Sequence, residues 1–435
     1  MFHTLNWIFR LLSQKVYLSA GVSKKDLMCD VKSNPSVTIM KNIFVILLLV
    51  LSFNDTNAQN PNHPSLKHQI DSKTLNESNE IWIGLPYNYD STTNYPVIYL
   101  LDAEDHFDIT YALTNELAKN DKMPSHILVG IPKKDNLIRF KNFTFSTSNP
   151  LDYDTLINPD FFNNPDHFGG GYKYLEYIEN EVISFVDKQY KTNGYNILIG
   201  HSLTGYFGAY AMPFQKSFSA FQLYDPSVFC NSNEAIKNLG NLKPNYATNV
   251  YVTSAAAKKE GDPKGKKVAL DAIDAYIQKL TQYPSIRLGT KFYPEEGHLS
   301  MYMYSVIDGF SFLYKGFGFG YILPTMNISL ENYTAHYKKL SKTTGFDFSP
   351  PIDGIRWVAY ANYHQKKWDE AIKCYLRCEP YFTDDYQVNL EMAECYFYLN
   401  HLKKSLEYYK KCKHLDPKNN SINSKIDELE SKLKS

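Results

Sequence analysis

The 435-residue chain has no excess of charge of either sign, because lysine plus arginine and aspartate plus glutamate both number 46. A balanced charge gives no electrostatic reason to bind nucleic acid, and we expect no nucleic-acid partner. Cysteine is also scarce, and the six residues are Cys29, Cys230, Cys374, Cys378, Cys395 and Cys412. None of them forms a CxxC pair or a Cys/His metal spacing, so we predict no metal site and no cofactor.

The chain also lacks an apolar run long enough to span a bilayer. The run Ile43–Leu51 contains nine residues, whereas a spanning helix needs about 20. Lys41 precedes this run, and the small residues Thr56 and Ala58 follow it at the −3 and −1 positions of a cleavage site. This order is typical of a secretory signal, so we expect an exported protein, periplasmic or secreted, with no transmembrane span in the mature chain. An uncleaved amphipathic anchor is the alternative.

Short apolar segments alternate with helical patterns from about residue 59 to about residue 325. The segments of strand length are Glu80–Pro86, Tyr95–Asp102, Ser125–Pro132, Asn196–Ile199, Ala220–Tyr224, Asn249–Thr253 and Gly289–Tyr293. Alternating strands and helices favour a mostly parallel sheet that is covered on both faces. We therefore predict an α/β fold, in which ligands bind at the carboxyl ends of the strands.

The predicted strand Asn196–Ile199 is followed by the sequence Gly-His-Ser-Leu-Thr-Gly, residues 200–205. A serine between a strand and a helix is typical of a nucleophile elbow, where small neighbours allow a sharp turn. Ser202 is the predicted nucleophile and Gly200 fits the first small position. Thr204 stands where the G-x-S-x-G pattern has its second glycine, and Gly205 follows one residue later.

A serine nucleophile needs a histidine base that a carboxylate orients. His298 lies in the loop after the last predicted strand, which is the place of the base in this chain order. The carboxylate is expected after the preceding strand, where both Glu260 and Asp262 are candidates, with Glu260 preferred. The backbone N–H groups of Leu203 and of either Ala103 or Glu104 are the expected oxyanion donors.

Several segments resemble, in order, the landmarks of the putative-esterase family of α/β-hydrolases. They are YPVIYLLD at 95–102, ILVGI at 127–131, the segment 136–143, the glycines at 169–171, GHSLTG at 200–205, DPS at 225–227 and EEGHLS at 295–300. The family includes siderophore, feruloyl and acetylxylan esterases, and the order of the segments is closest to its enterochelin-esterase-like branch. The resemblance covers roughly residues 65–325 and implies an α/β-hydrolase fold. It also implies an enzyme that hydrolyses a small-molecule carboxylic ester through an acyl-enzyme intermediate.

The same resemblance makes Arg139 a candidate for binding an anionic substrate, with a salt bridge that fixes a loop as the alternative. Thr204 and Ala103 depart from the glycines that are usual at their positions in the family. These departures keep a non-catalytic hydrolase-like binding protein open as an alternative. An acyltransferase that acts on a sugar or lipid hydroxyl is a further alternative.

The C-terminal part repeats itself with a period of 34 residues. Ala359, Trp368, Ala371, Tyr375 and Cys378 recur as Ala393, Leu402, Ser405, Tyr409 and Cys412. This period with small residues at helix contacts is typical of tetratricopeptide repeats, so we predict two repeats and a capping helix. Such a stack would bind a protein partner or pair two chains, or it would pack against the hydrolase domain.

These features divide the chain into four parts. We expect a leader at 1–58, an α/β-hydrolase esterase domain at 59–325, a connector at 326–349 and the repeat domain at 350–435. Translation is expected to start at Met40, within the leader.

Overall fold

The computed structural model describes residues 65–434 except 88, 148–160, 162, 244–246, 257–262 and 321. The side chains of residues 263–266 are also outside the description. The predicted leader therefore lies outside the described residues, as does its signal sequence.

Among the described residues, eight strands form one sheet in the order β1-β2-β4-β3-β5-β6-β7-β8. The strands are β1 (Ser65–Ser72), β2 (Glu77–Gly84), β3 (Tyr95–Leu101), β4 (Ile127–Ile131), β5 (Thr192–His201), β6 (Ala220–Tyr224), β7 (Thr248–Ala255) and β8 (Ile286–Tyr293). β2 is antiparallel to β1 and β4, and the other neighbours are parallel. All seven residues of β3 are buried, which is typical of a strand covered on both faces. The expected α/β class with a mostly parallel sheet is confirmed.

Helices cover both faces of this sheet. In the part of the chain up to residue 313 they are α1 (Ala103–Lys119), α2 (Asn136–Phe143), α3 (Gly171–Tyr177), α4 (Ile183–Gln189), α5 (Leu203–Ala211), α6 (Cys230–Asn238), α7 (Pro263–Leu280) and α8 (Tyr302–Leu313). A π-helical turn, Ile178–Val182, joins α3 to α4. α1 and α8 pack their apolar side chains on one face of the sheet, and α2 to α7 pack on the other.

The chain after residue 329 is helical. It contains α9 (Leu330–Thr344), α10 (Ile352–His364), α11 (Trp368–Cys378), α12 (Tyr386–Tyr398), α13 (Leu402–Leu415) and α14 (Asn420–Lys432). α9 occupies most of the segment expected to be a connector. Its N-terminus is capped by Ser329, which accepts a hydrogen bond from the backbone N–H of Asn332, and its C-terminus ends at Gly345 with φ 73°.

The C-terminal helices pack against the amino ends of the strands. Near the start of β7, the side chain of Asn249 donates to the carbonyl oxygen of Thr344 at 3.0 Å. The ring of Tyr195, near the start of β5, lies 4.5 Å from that of Phe346. The apolar core around α1 and α8 continues through Tyr314 and Phe348 into α9 to α14. The sheet and the C-terminal helices therefore share one hydrophobic core.

Three features of the described residues bear on the expectations above. The cysteines among them, Cys230, Cys374, Cys378, Cys395 and Cys412, are buried. None of the described helices combines the length and apolar character needed to cross a membrane. Within the same residues, no cluster of three or more His, Cys, Asp or Glu side chains is arranged to hold a metal ion.

Candidate active site

Ser202 occupies a strained turn between β5 and α5. Its φ is 60° and its ψ is −119°, a backbone conformation that costs a non-glycine residue on the order of 1–3 kcal/mol. Three backbone hydrogen bonds hold it there: Ser202 N–H donates to the carbonyl oxygen of Tyr224, and the Ser202 carbonyl accepts from the N–H groups of Tyr206 and Ser227, each at 3.0 Å. The turn lies between a strand and a helix, and it places Ser202 at the carboxyl edge of the sheet.

Close backbone contacts explain the glycines on both sides of Ser202. A Cβ atom at Gly200 would lie 2.2 Å from the carbonyl oxygen of Thr204, and one at Gly205 would lie 2.9 Å from the Cβ of Pro226. Both distances are too short for any side chain. The glycine that comes one residue late in the motif is therefore required by its contact with Pro226.

Thr204 stabilises the elbow through its hydroxyl group. The residue is fully buried, and its Oγ1 accepts from the N–H of His201 and donates to the His201 carbonyl, both at 2.9 Å. The side chain is thus directed at the backbone just before Ser202. The departure from glycine at this position adds two hydrogen bonds to the turn.

His298 lies in the loop between β8 and α8 and pairs with Asp225. Its Nδ1 donates to the Oδ2 of Asp225 at 2.6 Å, a length typical of a charge-assisted hydrogen bond. Asp225 follows β6, has φ 39° and is 5% exposed. Its backbone N–H donates to Thr253, and its Oδ1 accepts from the N–H of Ala255 at 3.3 Å. The backbone of β7 therefore fixes the carboxylate that orients the imidazole.

The predicted acids Glu260 and Asp262 lie among residues 257–262, outside the described residues. Within the described residues, the carboxylate that His298 contacts is Asp225. It follows β6, one strand nearer to Ser202 than the expected position after β7. Ser202 and Asp225 belong to the same site because Ser202 hydrogen bonds to Tyr224 and Ser227, on either side of Asp225.

His201 supports the loop that carries His298. Its ring is 4% exposed, and burial lowers the pKa of His201 to about 3, so it is neutral near pH 7. A neutral ring has one N–H, and the Nε2 of His201 donates it to the carbonyl oxygen of His298 at 2.8 Å. The two rings lie 4.4 Å apart. His201 thus packs against the ring of His298.

Two helix N-termini meet beside Ser202. α1 begins at Ala103 directly after β3, and α5 begins at Leu203 directly after β5. β3 and β5 are parallel neighbours with Leu100 opposite Ile199, so both helices start at the same edge of the sheet. The first N–H groups of a helix have no acceptor within it and are suited to bind an anion.

The side chain of Glu104 is held away from these donors. Its Oε2 accepts from the backbone N–H of Lys133 at 3.0 Å, and its Oε1 pairs with the Lys133 Nζ at 2.8 Å. Ala103 is fully buried. Ala103 or Glu104 would therefore contribute a backbone N–H group to the site and not a side chain.

Arg139, in α2, forms a two-pronged salt bridge with Asp102. Its Nε donates to Oδ1 at 2.9 Å and its Nη2 donates to Oδ2 at 2.7 Å. The Asp102 side chain is 4% exposed, and the residue has φ 51° at the turn into α1. The contact that the structure records for Arg139 is thus the salt bridge, which holds the turn that starts α1.

Comparisons with known proteins agree with this geometry. Residues 72–224 match the family model described as "Putative esterase", a segment that contains Ser202 and ends before Asp225 and His298. An IroE-like serine hydrolase from Shewanella oneidensis is 25% identical, with a TM-score of 0.60 over 71% of this chain and 98% of its own. The family match and this neighbour support a carboxylic ester hydrolase.

Two more distant structures show the same fold. An uncharacterised protein from Capnocytophaga ochracea is 17% identical, with a TM-score of 0.58 over 84% of this chain and 99% of its own. The siderophore hydrolase EstA from Aspergillus nidulans is 16% identical, with a TM-score of 0.50 over 60% of this chain and 97% of its own. No curated protein matches the chain.

Sequence reasoning did not predict the contact between Asp225 and His298, although it noted the Asp-Pro-Ser segment as a landmark. The available signal was an aspartate placed directly after the strand that follows the elbow. Since β5, β6 and β7 are parallel neighbours, carboxylates after β6 or β7 both start from the edge where Ser202 lies.

Proposed function

We propose that the enzyme hydrolyses its ester through a covalent acyl-enzyme formed on Ser202. His298 accepts the Ser202 proton as the hydroxyl oxygen attacks the ester carbonyl carbon, and it then gives that proton to the departing alcohol. Water attacks the acyl-enzyme in the second half of the reaction, and its proton passes to His298 and then to Ser202. Asp225 keeps the proton of the imidazole on Nδ1, so that Nε2 is free to act as the base.

The negative oxygen of the tetrahedral intermediate would bind the backbone N–H of Leu203 and that of Ala103 or Glu104. The observation that carries the proposal is the pairing of a serine at φ 60° with an Asp225–His298 hydrogen bond of 2.6 Å at one sheet edge. A strained serine conformation is maintained only where the surroundings impose it, and catalytic turns are the places where such strain accumulates.

A fluorophosphonate probe tests this mechanism. We expect the probe to label Ser202 in the wild-type protein, with the modified peptide identified by mass spectrometry. Ser202→Ala should abolish labelling and hydrolysis of p-nitrophenyl esters together, while Ser424→Ala, at an exposed serine of α14, should change neither. Labelling that persists in Ser202→Ala would contradict the proposal.

For the substrate, we propose an ester of the siderophore class. The support is the order of the sequence landmarks, which is closest to the enterochelin-esterase-like branch, and the likeness to an IroE-like serine hydrolase. Product analysis with a catecholate trilactone, a feruloylated polysaccharide and an acetylated sugar distinguishes the alternatives. Higher kcat/KM for either carbohydrate ester would overturn this choice.

We propose that α10 to α13 are two tetratricopeptide repeats and that α14 is their capping helix. α10 and α12 begin at Ile352 and Tyr386, and α11 and α13 begin at Trp368 and Leu402, so each step is the 34 residues of this repeat. The stack would bind a protein partner or a second copy of the chain. Light scattering of the full chain tests self-association, which a constant monomer mass over a wide concentration range would contradict.

The small residues of these helices give a second test of the repeats. Ala359 and Ala393 occupy equivalent positions and are both fully buried. Replacing either one by leucine should lower the melting temperature by a similar amount, because each would overpack an equivalent helix contact. A large effect at one position and none at the other would argue against two equivalent repeats.

We propose that the protein is exported to the periplasm or secreted, with translation from Met40 and cleavage after Ala58. The support is the sequence pattern of residues 40–58. Mass spectrometry of the N-terminus of the native protein tests it, and peptides from residues 1–39 would contradict it.

A further inference from the structure

The hydroxyl group of Ser227 lies beside the nucleophile. The two side-chain oxygens, Oγ of Ser202 and Oγ of Ser227, are 3.5 Å apart. Backbone hydrogen bonds fix Ser227 in this place, because its N–H donates to the Ser202 carbonyl and its carbonyl accepts from the N–H of Cys230, both at 3.0 Å. The position of residue 227 is therefore set by the backbone and would be kept without its hydroxyl.

Ser227 is on the side of the nucleophile from which an alcohol would depart. β5 lies between β3 and β6 in the sheet. The N-terminus of α1, which follows β3, is on one side of Ser202, whereas Asp225 and Ser227, which follow β6, are on the other. Since His298 pairs with Asp225, the base is also on the β6 side. In serine hydrolases the base protonates the leaving group, so the leaving oxygen departs toward that side.

The distance between the two hydroxyl groups leaves both able to bind substrate. A good O–H···O hydrogen bond has its oxygen atoms about 2.7–2.8 Å apart, so a contact of 3.5 Å uses little of the capacity of either group. Ser227 is also only half-buried. Its hydroxyl can therefore turn toward an oxygen bonded to the carbon that Ser202 attacks.

We propose that Ser227 is a further catalytic residue that donates a hydrogen bond to the leaving oxygen of the ester; this rests on the acyl-enzyme mechanism proposed above. In that step the bond between the acyl carbon and the leaving oxygen breaks, and the electron pair stays on the oxygen. The proton that the oxygen takes up comes from Nε2 of His298. Ser227 transfers no proton and only stabilises the charge that develops before protonation.

The expected signature is a dependence on the leaving group. An ethyl ester has a basic leaving oxygen and depends on this stabilisation, whereas a p-nitrophenyl ester releases an anion that is already stable. We compare kcat/KM for ethyl butyrate and p-nitrophenyl butyrate in the full-length wild type, Ser227→Ala and Ser227→Thr. Ser227→Ala should lower the value about tenfold for the ethyl ester and less than about twofold for the p-nitrophenyl ester. Ser227→Thr, which keeps a hydroxyl, should recover most of the loss.

Other outcomes overturn the inference. Equal losses for both esters, with slower fluorophosphonate labelling of Ser202, would mean that Ser227 only positions the nucleophile. Equal values for wild type and Ser227→Ala with both esters would mean that Ser227 takes no part. A wild type that cleaves only the p-nitrophenyl ester would contradict it as well, because the hydroxyl should make alkyl esters substrates. A failure of the acyl-enzyme mechanism is recognised separately, because the wild-type protein would then not be labelled at all.

Discussion

Replacing Asp225 by asparagine should nearly abolish catalysis while leaving the fold intact. The two side chains have the same shape, and the Oδ1 of Asp225 accepts from the N–H of Ala255. To keep that bond, the asparagine must direct its NH₂ group at the Nδ1 of His298, which then has to accept the hydrogen bond. The imidazole proton would move to Nε2, and the ring could no longer take the proton of Ser202.

Protonation of His298 on Nε2 in place of Nδ1 explains the size of the decrease in kcat that we expect. The loss of an orienting carboxylate in a serine triad lowers kcat by about 10⁴-fold, which corresponds to about 5.5 kcal/mol in the activation barrier. The opposite orientation of the amide is disfavoured, because its NH₂ group would then face the N–H of Ala255 and that hydrogen bond of the buried side chain would be lost.

The assay measures kcat with p-nitrophenyl butyrate, and thermal unfolding checks that Asp225→Asn is folded. Glu296→Gln is a suitable control because Glu296 lies in the same loop as His298, is only half-buried and accepts a hydrogen bond from Ser300. It should change kcat less than about threefold, as expected for a half-buried residue that does not bind His298. If Asp225→Asn retains more than a tenth of the activity while Glu260→Gln or Asp262→Asn loses it, the acid comes from the loop after β7.

Three further predictions concern the elbow, the salt bridge beside it and the response to pH. Gly200→Ala should disrupt the turn at Ser202 and abolish fluorophosphonate labelling of Ser202, because the new Cβ would lie 2.2 Å from a backbone oxygen. Gly240→Ala is the control: nothing lies within 4 Å of a Cβ at that position, so this variant should be labelled like wild type. Arg139→Ala should lower the free energy of unfolding by about 3 kcal/mol in urea titrations, because it leaves buried Asp102 unpaired. Unchanged stability together with a higher KM only for anionic esters would instead show that Arg139 binds the substrate. Burial lowers the pKa of His126 to about 3, so below pH 6.5 the unfolded chain binds a proton that the folded one does not. This group should cost about 1 kcal/mol of stability at pH 5.5 and about 3 kcal/mol at pH 4.5. His126→Gln should therefore show a flatter decrease of the unfolding free energy with falling pH, and parallel curves for the two proteins would contradict this prediction.

The sequence predicted the elements that have strong local signals. The strand before Ser202 is apolar and ends abruptly at Gly200, so the elbow could be located although Thr204 departs from the pattern. His298 was predicted to be the base from its place after the last strand, and the structure pairs it with a buried carboxylate. The 34-residue period predicted helices whose starts, at Ile352 and Tyr386, are 34 residues apart.

What the sequence did not predict depends on tertiary contacts. The chain order of a serine triad allows the acid to follow either of two neighbouring strands, and only the fold shows that Asp225 contacts His298. The helix α9 was taken for part of a connector, although Ser329 and Gly345 are common capping residues at its two ends. Its aromatic side chains, such as Tyr333 and Tyr337, are buried against the rest of the core.

The shared hydrophobic core places the C-terminal helices at one end of the sheet and the catalytic edge at the other. Tyr195, which touches the segment after α9, precedes Ser202 by seven residues of one strand, or about 23 Å. A protein bound to these helices would contact the enzyme at the end of the sheet opposite Ser202, and it would leave the edge at Ser202 open to diffusing esters. The C-terminal helices are thus placed so that binding a partner does not block access to Ser202.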